Sequence, residues 1–146
     1  MAKVSREQKL YELEEARSTL PLVSKIVSDI VKITGSMKEV YHEIRKAAEE
    51  GAGRDRLEEL QERLHEIAEE RTDFIEELSG LGVEMKDPNV GLVDFPALLD
   101  DRVVYLCWKR GEATIDHWHE LTTGFSGREP VEGNFEPGTV ASSHEA

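Results

Sequence analysis

The chain has 146 residues, 38% of them apolar and 34% charged, and its formal net charge is −13. That length supports one domain with a modest core, and the polar balance suits long amphipathic helices with a wide solvated face. The negative field disfavours nonspecific binding to nucleic acid or to an anionic membrane surface; it serves solubility, and any partner it attracts is a basic protein or a cation.

The opening stretch, MAKVSREQKLYELEEA, has no apolar segment of the kind a secretory leader needs. No apolar run approaches the roughly 20 residues that span a bilayer. Residues 1–19 read as a lead-in, with Glu14 and Glu15 in a short preceding turn. The first strong periodicity follows. Val23, Ile26, Ile30, Ile33, Met37, Val40, Ile44 and Ala47 alternate in steps of three and four, the seam of a coiled-coil-like helix. Pro21 suits its first turn. Gly51 suits its end, and Gly51-Ala-Gly53 reads as a connector. Asp55-x-x-Glu58 reads as a variant capping box opening a second helix. Its seam runs Leu57, Leu60, Leu64, Ile67, Arg71, Phe74, Leu78, Leu81 and ends near Ser79-Gly80.

Two seams of equal length joined by a short loop fold back on one another, so residues 20–81 form an antiparallel hairpin. Arg71 interrupts the second seam and falls opposite Ile33; its stem packs while its head reaches water, or it meets a carboxylate of another subunit. The first helix carries a second apolar stripe of Leu20, Val27 and Tyr41, flanked by Leu22 and Val31. That stripe needs a cover, either the C-terminal segment or a second copy, and it is the ground for expecting a homodimer.

From residue 82 the pattern changes. The run from Val90 to Leu99 and the run from Arg102 to Trp108 are β-branched and aromatic and flank Asp100-Asp101, which predicts a β-hairpin. Pro96 marks the first of these strands as an edge or as paired on one side. Val83–Lys86 offers a third strand, and Glu112–Leu121 is either a short helix or another strand. Residues 132–146 lack periodicity and read as a disordered tail. The fold class expected is α+β: a long helical hairpin, then a small β-rich head with a short helix over residues 82–131. Cys107 is the only cysteine, which excludes an intramolecular disulfide and fits a reducing, cytoplasmic setting.

Several pieces of this second half form a recognisable set: Lys86-Asp87, Gly91-Leu-Val-Asp-Phe-Pro96, Cys107-Trp108, Gly111-Glu112, Trp118-His-Glu120 and Gly124-Phe-x-Gly-Arg-x-Pro130. Together with Glu14-Glu-Ala16 and Leu20-Pro21 they make residues 10–131 resemble the uncharacterised bacterial family catalogued as domain of unknown function number 2203. The resemblance implies an α+β layout and no activity.

The densest chemistry lies in Asp116-His-Trp-His-Glu120. On a helix, Asp116, His119 and Glu120 share a face, and Glu112 extends it one turn back. Imidazole with carboxylates at that spacing suits a divalent transition metal. On a strand, His117 and His119 become the pair that points one way, and Cys107 joins as a soft ligand if the hairpin lies close. The competing reading makes His119 and Glu120 buried, hydrogen-bonded groups that tie the last element down, with Cys107 and Trp108 as core residues. Arg128, in its glycine-flanked motif, either clamps an anion bidentately or bridges to Asp94, Asp116 or Glu120.

Two Glu-x-x-His pairs, Glu39/His42 and Glu62/His65, mimic a di-iron pattern. The seams turn both away from the hairpin core, which argues against such a centre. No phosphate loop, nucleophile elbow or triad spacing is present. Two functions therefore stand side by side: a non-catalytic, homodimeric interaction module, and a metal-binding protein or metalloenzyme centred on residues 112–120.

Overall fold

The computed structural model describes residues 9–132. The expected tail lies outside the described residues from position 133 onward. Helix α1 spans Leu13–Glu49 and helix α2 spans Arg54–Gly80. At 1.5 Å per residue they are about 55 Å and about 40 Å long. They pack as an antiparallel pair, the hairpin that the two seams predict.

The lead-in reading of residues 1–19 needs correction, because α1 begins at Leu13. Glu12 and Glu15 form a reciprocal capping box there, so two carboxylates satisfy amides that the first turn leaves open. Pro21 consequently lies inside the helix rather than in its first turn. It forfeits one backbone hydrogen bond, but it is on the exposed side, while Ala16, Leu20 and Val23 hold the helix down on either side of it. Asp55 is not a cap either: Gly53 is the N-cap of α2 and Asp55 lies in the first turn, where its charge suits the helix dipole.

Both helices end the same way. At the end of α1, Gly51 N–H donates to Ala48 O and Ala52 N–H to Ala47 O, with Gly51 at φ 78°. At the end of α2, Gly82 N–H donates to Ser79 O and Val83 N–H to Leu78 O, with Gly82 at φ 84°. These are Schellman caps. In the second, buried Val83 packs at the C-terminal stop and aims the chain into the sheet.

The sheet has five strands in sequential antiparallel order: β1 Glu84–Asp87, β2 Leu92–Leu99, β3 Arg102–Lys109, β4 His117–His119 and β5 Glu129–Pro130. The β2–β3 turn is Asp100-Asp101, both at positive φ (52° and 65°), the two-residue geometry that matches strand twist. Pro96 is paired with β3 on one side. On its other side β1 has ended, and Tyr11 N–H of the lead-in donates to Pro96 O at 2.7 Å. The segment from Glu112 to Leu121 carries strand β4, not a helix; the short helix of the head is instead a 3-10 turn at Phe125–Gly127.

Strand alternation divides the sheet into two faces. Val93, Phe95 and Ala97 of β2, Val104, Leu106 and Trp108 of β3, and Trp118 of β4 turn inward. They form one core with Ala16, Leu20, Val23, Ile26, Val27 and Ile30 of α1 and Leu78 of α2. The second apolar stripe of α1 therefore meets the sheet: Leu20 and Val27 are buried and Val31 packs against the same core. Of the stripe residues only Leu22 (48% exposed) and Tyr41 (54%) remain open. Gly91 marks how close the layers lie, since a Cβ there would stand 2.9 Å from a Val27 methyl. Arg17 locks the head from the side, donating to Ile115 O at 2.8 and 3.1 Å.

Candidate functional site

The outer face of the sheet is polar. Register puts Glu84, Asp94, Cys107 and His117 across from one another in successive strands, and Tyr105 opposite His119. His119 reaches back over β3, and its Nε2 lies 3.1 Å from Asp94 Oδ1. The Sγ of Cys107 completes a group in which one ligand atom each of Asp94, Cys107 and His119 lies within 4.8 Å of the others. All three residues are buried, at 3%, 0% and 3% exposure.

Hydrogen bonding fixes the histidine's orientation. Its Nδ1 lies 2.7 Å from Glu120 O. A carbonyl oxygen only accepts, so Nδ1 carries the proton and donates. Nε2 is then the atom offered to Asp94 and Cys107. Burial pushes the Asp94 carboxyl above its usual range, opposed only in part by the charge and hydrogen bond of His119 and by Lys86. Burial likewise pushes the Cys107 thiol up to about 11, with the Asp94 charge adding to it and Arg128 opposing it.

A ring of paired polar groups surrounds the buried three. Glu112 Oε2 accepts from Arg128 at 2.5 Å, while Glu112 Oε1 accepts from the Lys109 amide at 2.9 Å. Arg128 presents Nη1 to Cys107 Sγ at 3.9 Å and stacks on Phe125 at 4.3 Å. Burial alone would raise Glu112, but Arg128, the Lys109 amide and nearby charge hold it below the usual carboxylate range. On the opposite side Tyr105 donates to Glu84 at 3.0 Å, Lys86 pairs with Glu84 at 3.0 Å, and the Tyr105 ring leans on the His119 ring.

The residues predicted from sequence separate accordingly. His119 and Cys107 come together. Asp116 is exposed and lies 3.5 Å from Arg17, and Glu120 pairs with Arg102 at 2.6 Å. Their side chains have partners away from the His119 ring nitrogens, because a strand, unlike a helix, does not gather residues 116, 119 and 120 on one face. Arg128 bridges to Glu112, not to Asp94, Asp116 or Glu120. Arg71 is part-buried, and its Nη1 lies 3.3 Å from the hydroxyl of buried Thr34. Glu39, His42, Glu62 and His65 are all exposed, as the seams require.

In the sequence Asp94 stands out as a motif residue and a candidate partner of Arg128, not as a partner of His119 or Cys107. The signal available was a lone carboxylate inside the apolar run from Gly91 to Leu99, at a parity opposite to Val93, Phe95 and Ala97. A charge in that place needs a partner. Which partner depends on strand register.

Taken together, the fold and site define a helical hairpin that carries a five-stranded meander with a buried Asp-Cys-His cluster on its far face. A family model described as an uncharacterized conserved protein, DUF2203, matches residues 9–131, and the chain belongs to that family. The matched range takes in both the hairpin and the sheet. No curated protein and no solved structure matches the chain. No helix among the described residues is long and apolar enough to cross a membrane.

Proposed function

We propose that this protein binds a divalent transition-metal ion through Asp94, Cys107 and His119. The observation that carries the reading is that one carboxylate, one thiol and one imidazole, from three adjacent strands, lie buried within 4.8 Å of one another. Around a tetrahedral ion with bonds of about 2.0–2.3 Å, ligand atoms stand roughly 3.3–3.8 Å apart, so little movement is required. A mixed oxygen, nitrogen and sulfur set suits zinc or a neighbouring first-row ion better than magnesium or calcium. The Nδ1–H bond to the Glu120 carbonyl is the outer contact that commonly orients a metal-binding histidine. Arg128 beside Cys107 Sγ favours the thiolate that coordination demands. A reducing cytoplasmic compartment belongs to this reading, since the thiol must stay free.

Metal analysis of protein purified without added metal tests it. About one equivalent of ion is expected, falling sharply in His119→Ala and Cys107→Ser. Cobalt(II) added to the metal-free wild type should also give a thiolate-to-cobalt absorption band. Substoichiometric metal that His119→Ala leaves unchanged, with no such band, would refute the proposal.

The interaction-module reading loses its main support, since the sheet covers most of the stripe that suggested a second subunit. What still favours it is exposed Tyr41, on the part of the hairpin beyond the sheet. Light scattering distinguishes a mass of one chain from a mass of two.

A further inference from the structure

The metal reading leaves the fourth coordination position open. We infer that His117 fills it, closing an Asp-Cys-His-His sphere that clamps β2, β3 and β4 together and admits no substrate. The inference rests on the metal reading of Asp94, Cys107 and His119.

Register provides the placement. Asp94 pairs with Cys107 and Cys107 pairs with His117, so the three side chains rise in one row across the sheet. His117 and His119 are two apart on β4 and project to the same side. Directly opposite neighbours in an antiparallel pair have Cβ atoms about 4.5–5.5 Å apart, within reach of an imidazole. His119 already crosses β3 in the same manner to touch Asp94.

The state of the ring is the second observation. His117 Nδ1 is buried with no hydrogen-bond partner among the described residues. Glu112, whose charge His117 feels, is engaged elsewhere, with Arg128 and the Lys109 amide. A buried ring nitrogen that no neighbouring group uses is available as a ligand atom. His117 stands outside the 4.8 Å group, so its ring must turn toward Cys107 when an ion enters. Four protein ligands define a structural metal site, whereas a catalytic one retains a position for water.

The test uses the full chain loaded with cobalt(II). A closed sphere gives an intense tetrahedral visible spectrum that azide does not alter. His117→Ala should weaken and shift that spectrum, render it azide-sensitive, and lower zinc affinity by a factor on the order of 10–100. Free imidazole should restore the wild-type bands in this variant, which a purely structural role for His117 would not allow. His117→Gln serves in parallel should the alanine variant fold poorly. A wild-type spectrum that responds to azide, or a His117→Ala spectrum and affinity matching wild type, overturns the inference and leaves the three-ligand site standing. Wild-type protein that takes up neither zinc nor cobalt removes both.

Discussion

At the scale of single residues, the polar face is organised by pairs, and the Glu112–Arg128 pair is the one whose energetics are most easily isolated. Glu112 titrates below the usual carboxylate range in the folded chain because Arg128 and the Lys109 amide outweigh the cost of burying it. A carboxylate with a lowered folded pKa binds fewer protons when folded than when unfolded. Its contribution is therefore fully present above the unfolded value, near 4.5, and fades as pH falls through the folded one. Glu112→Gln should thus lower the melting temperature at pH 7 and converge on the parent at strongly acid pH, as thermal unfolding across pH would show; a constant gap would sink the linkage. Gly91 makes a steric counterpart. It has φ 78°, and an added Cβ would lie 2.8 Å from Arg110 Cβ and 2.9 Å from Val27. Gly91→Ala should cost about 3 kcal/mol in urea unfolding, from left-handed strain plus overpacking. Gly111→Ala, also at positive φ but in open space, should cost distinctly less. Of the buried cluster, His119 and Cys107 were legible in sequence because their chemistry is conspicuous in any fold. Asp94 was not, because its role exists only once β2 is in register with β3 and β4 reaches across.

At the scale of elements, local rules decided most of the architecture. Seven-residue periodicity, Gly51 at a helix end and two residues between apolar runs each have one cheap backbone solution, and those solutions are present. The start of α1 departs from expectation where a competing local contact won: Glu12 and Glu15 extended the helix past the proline that was expected to open it. For residues 117–119, whose pattern allowed helix or strand, pairing with β3 decided for the strand. The one break in the seam is also now specific: Arg71 on α2 faces Thr34 on α1. Removing one member of a part-buried polar pair strands the other, whereas replacing both by apolar groups is near neutral or stabilising. Thr34→Val alone should destabilise by about 0.5–1.5 kcal/mol. The double variant Thr34→Val/Arg71→Leu, which makes the seam continuous, should match or exceed the parent. A double-mutant cycle by chemical denaturation measures this, and strictly additive losses would show that the contact contributes nothing.

At the scale of the whole molecule, the two long helices do two jobs along their length. The near half, from Leu13 to Ile30 on α1 with Leu78 on α2 and Tyr11 just ahead of α1, shares one core with the sheet. Among the described residues the far half is held by the two helices alone, with Met37, Val40 and Leu60 buried and Ile44, Leu57 and Leu64 only partly covered. The docking that creates this asymmetry was not legible, since a surplus stripe on α1 specifies that something covers it without specifying what. Few buried apolar contacts and a solvated backbone mean low local stability. Amides between Val40 and Leu64 should therefore exchange through openings on the order of 2–3 kcal/mol less costly than global unfolding. Amides of Val23–Ile30 and of β2 and β3 should exchange only when the whole chain unfolds. Two substitutions separate the halves. Phe95→Ala removes the largest fully buried side chain, so it should lower protection in the near half and sheet together, by about 3–5 kcal/mol. Leu60→Ala should lower protection of the far half and leave the sheet amides almost unchanged. Hydrogen exchange followed by mass spectrometry reads both, and equal losses everywhere after Leu60→Ala would mean that the hairpin and the sheet unfold as one unit. A hairpin tip that opens by itself would leave the buried Asp94–Cys107–His119 cluster intact, because that cluster is anchored in strands on the near side of the molecule.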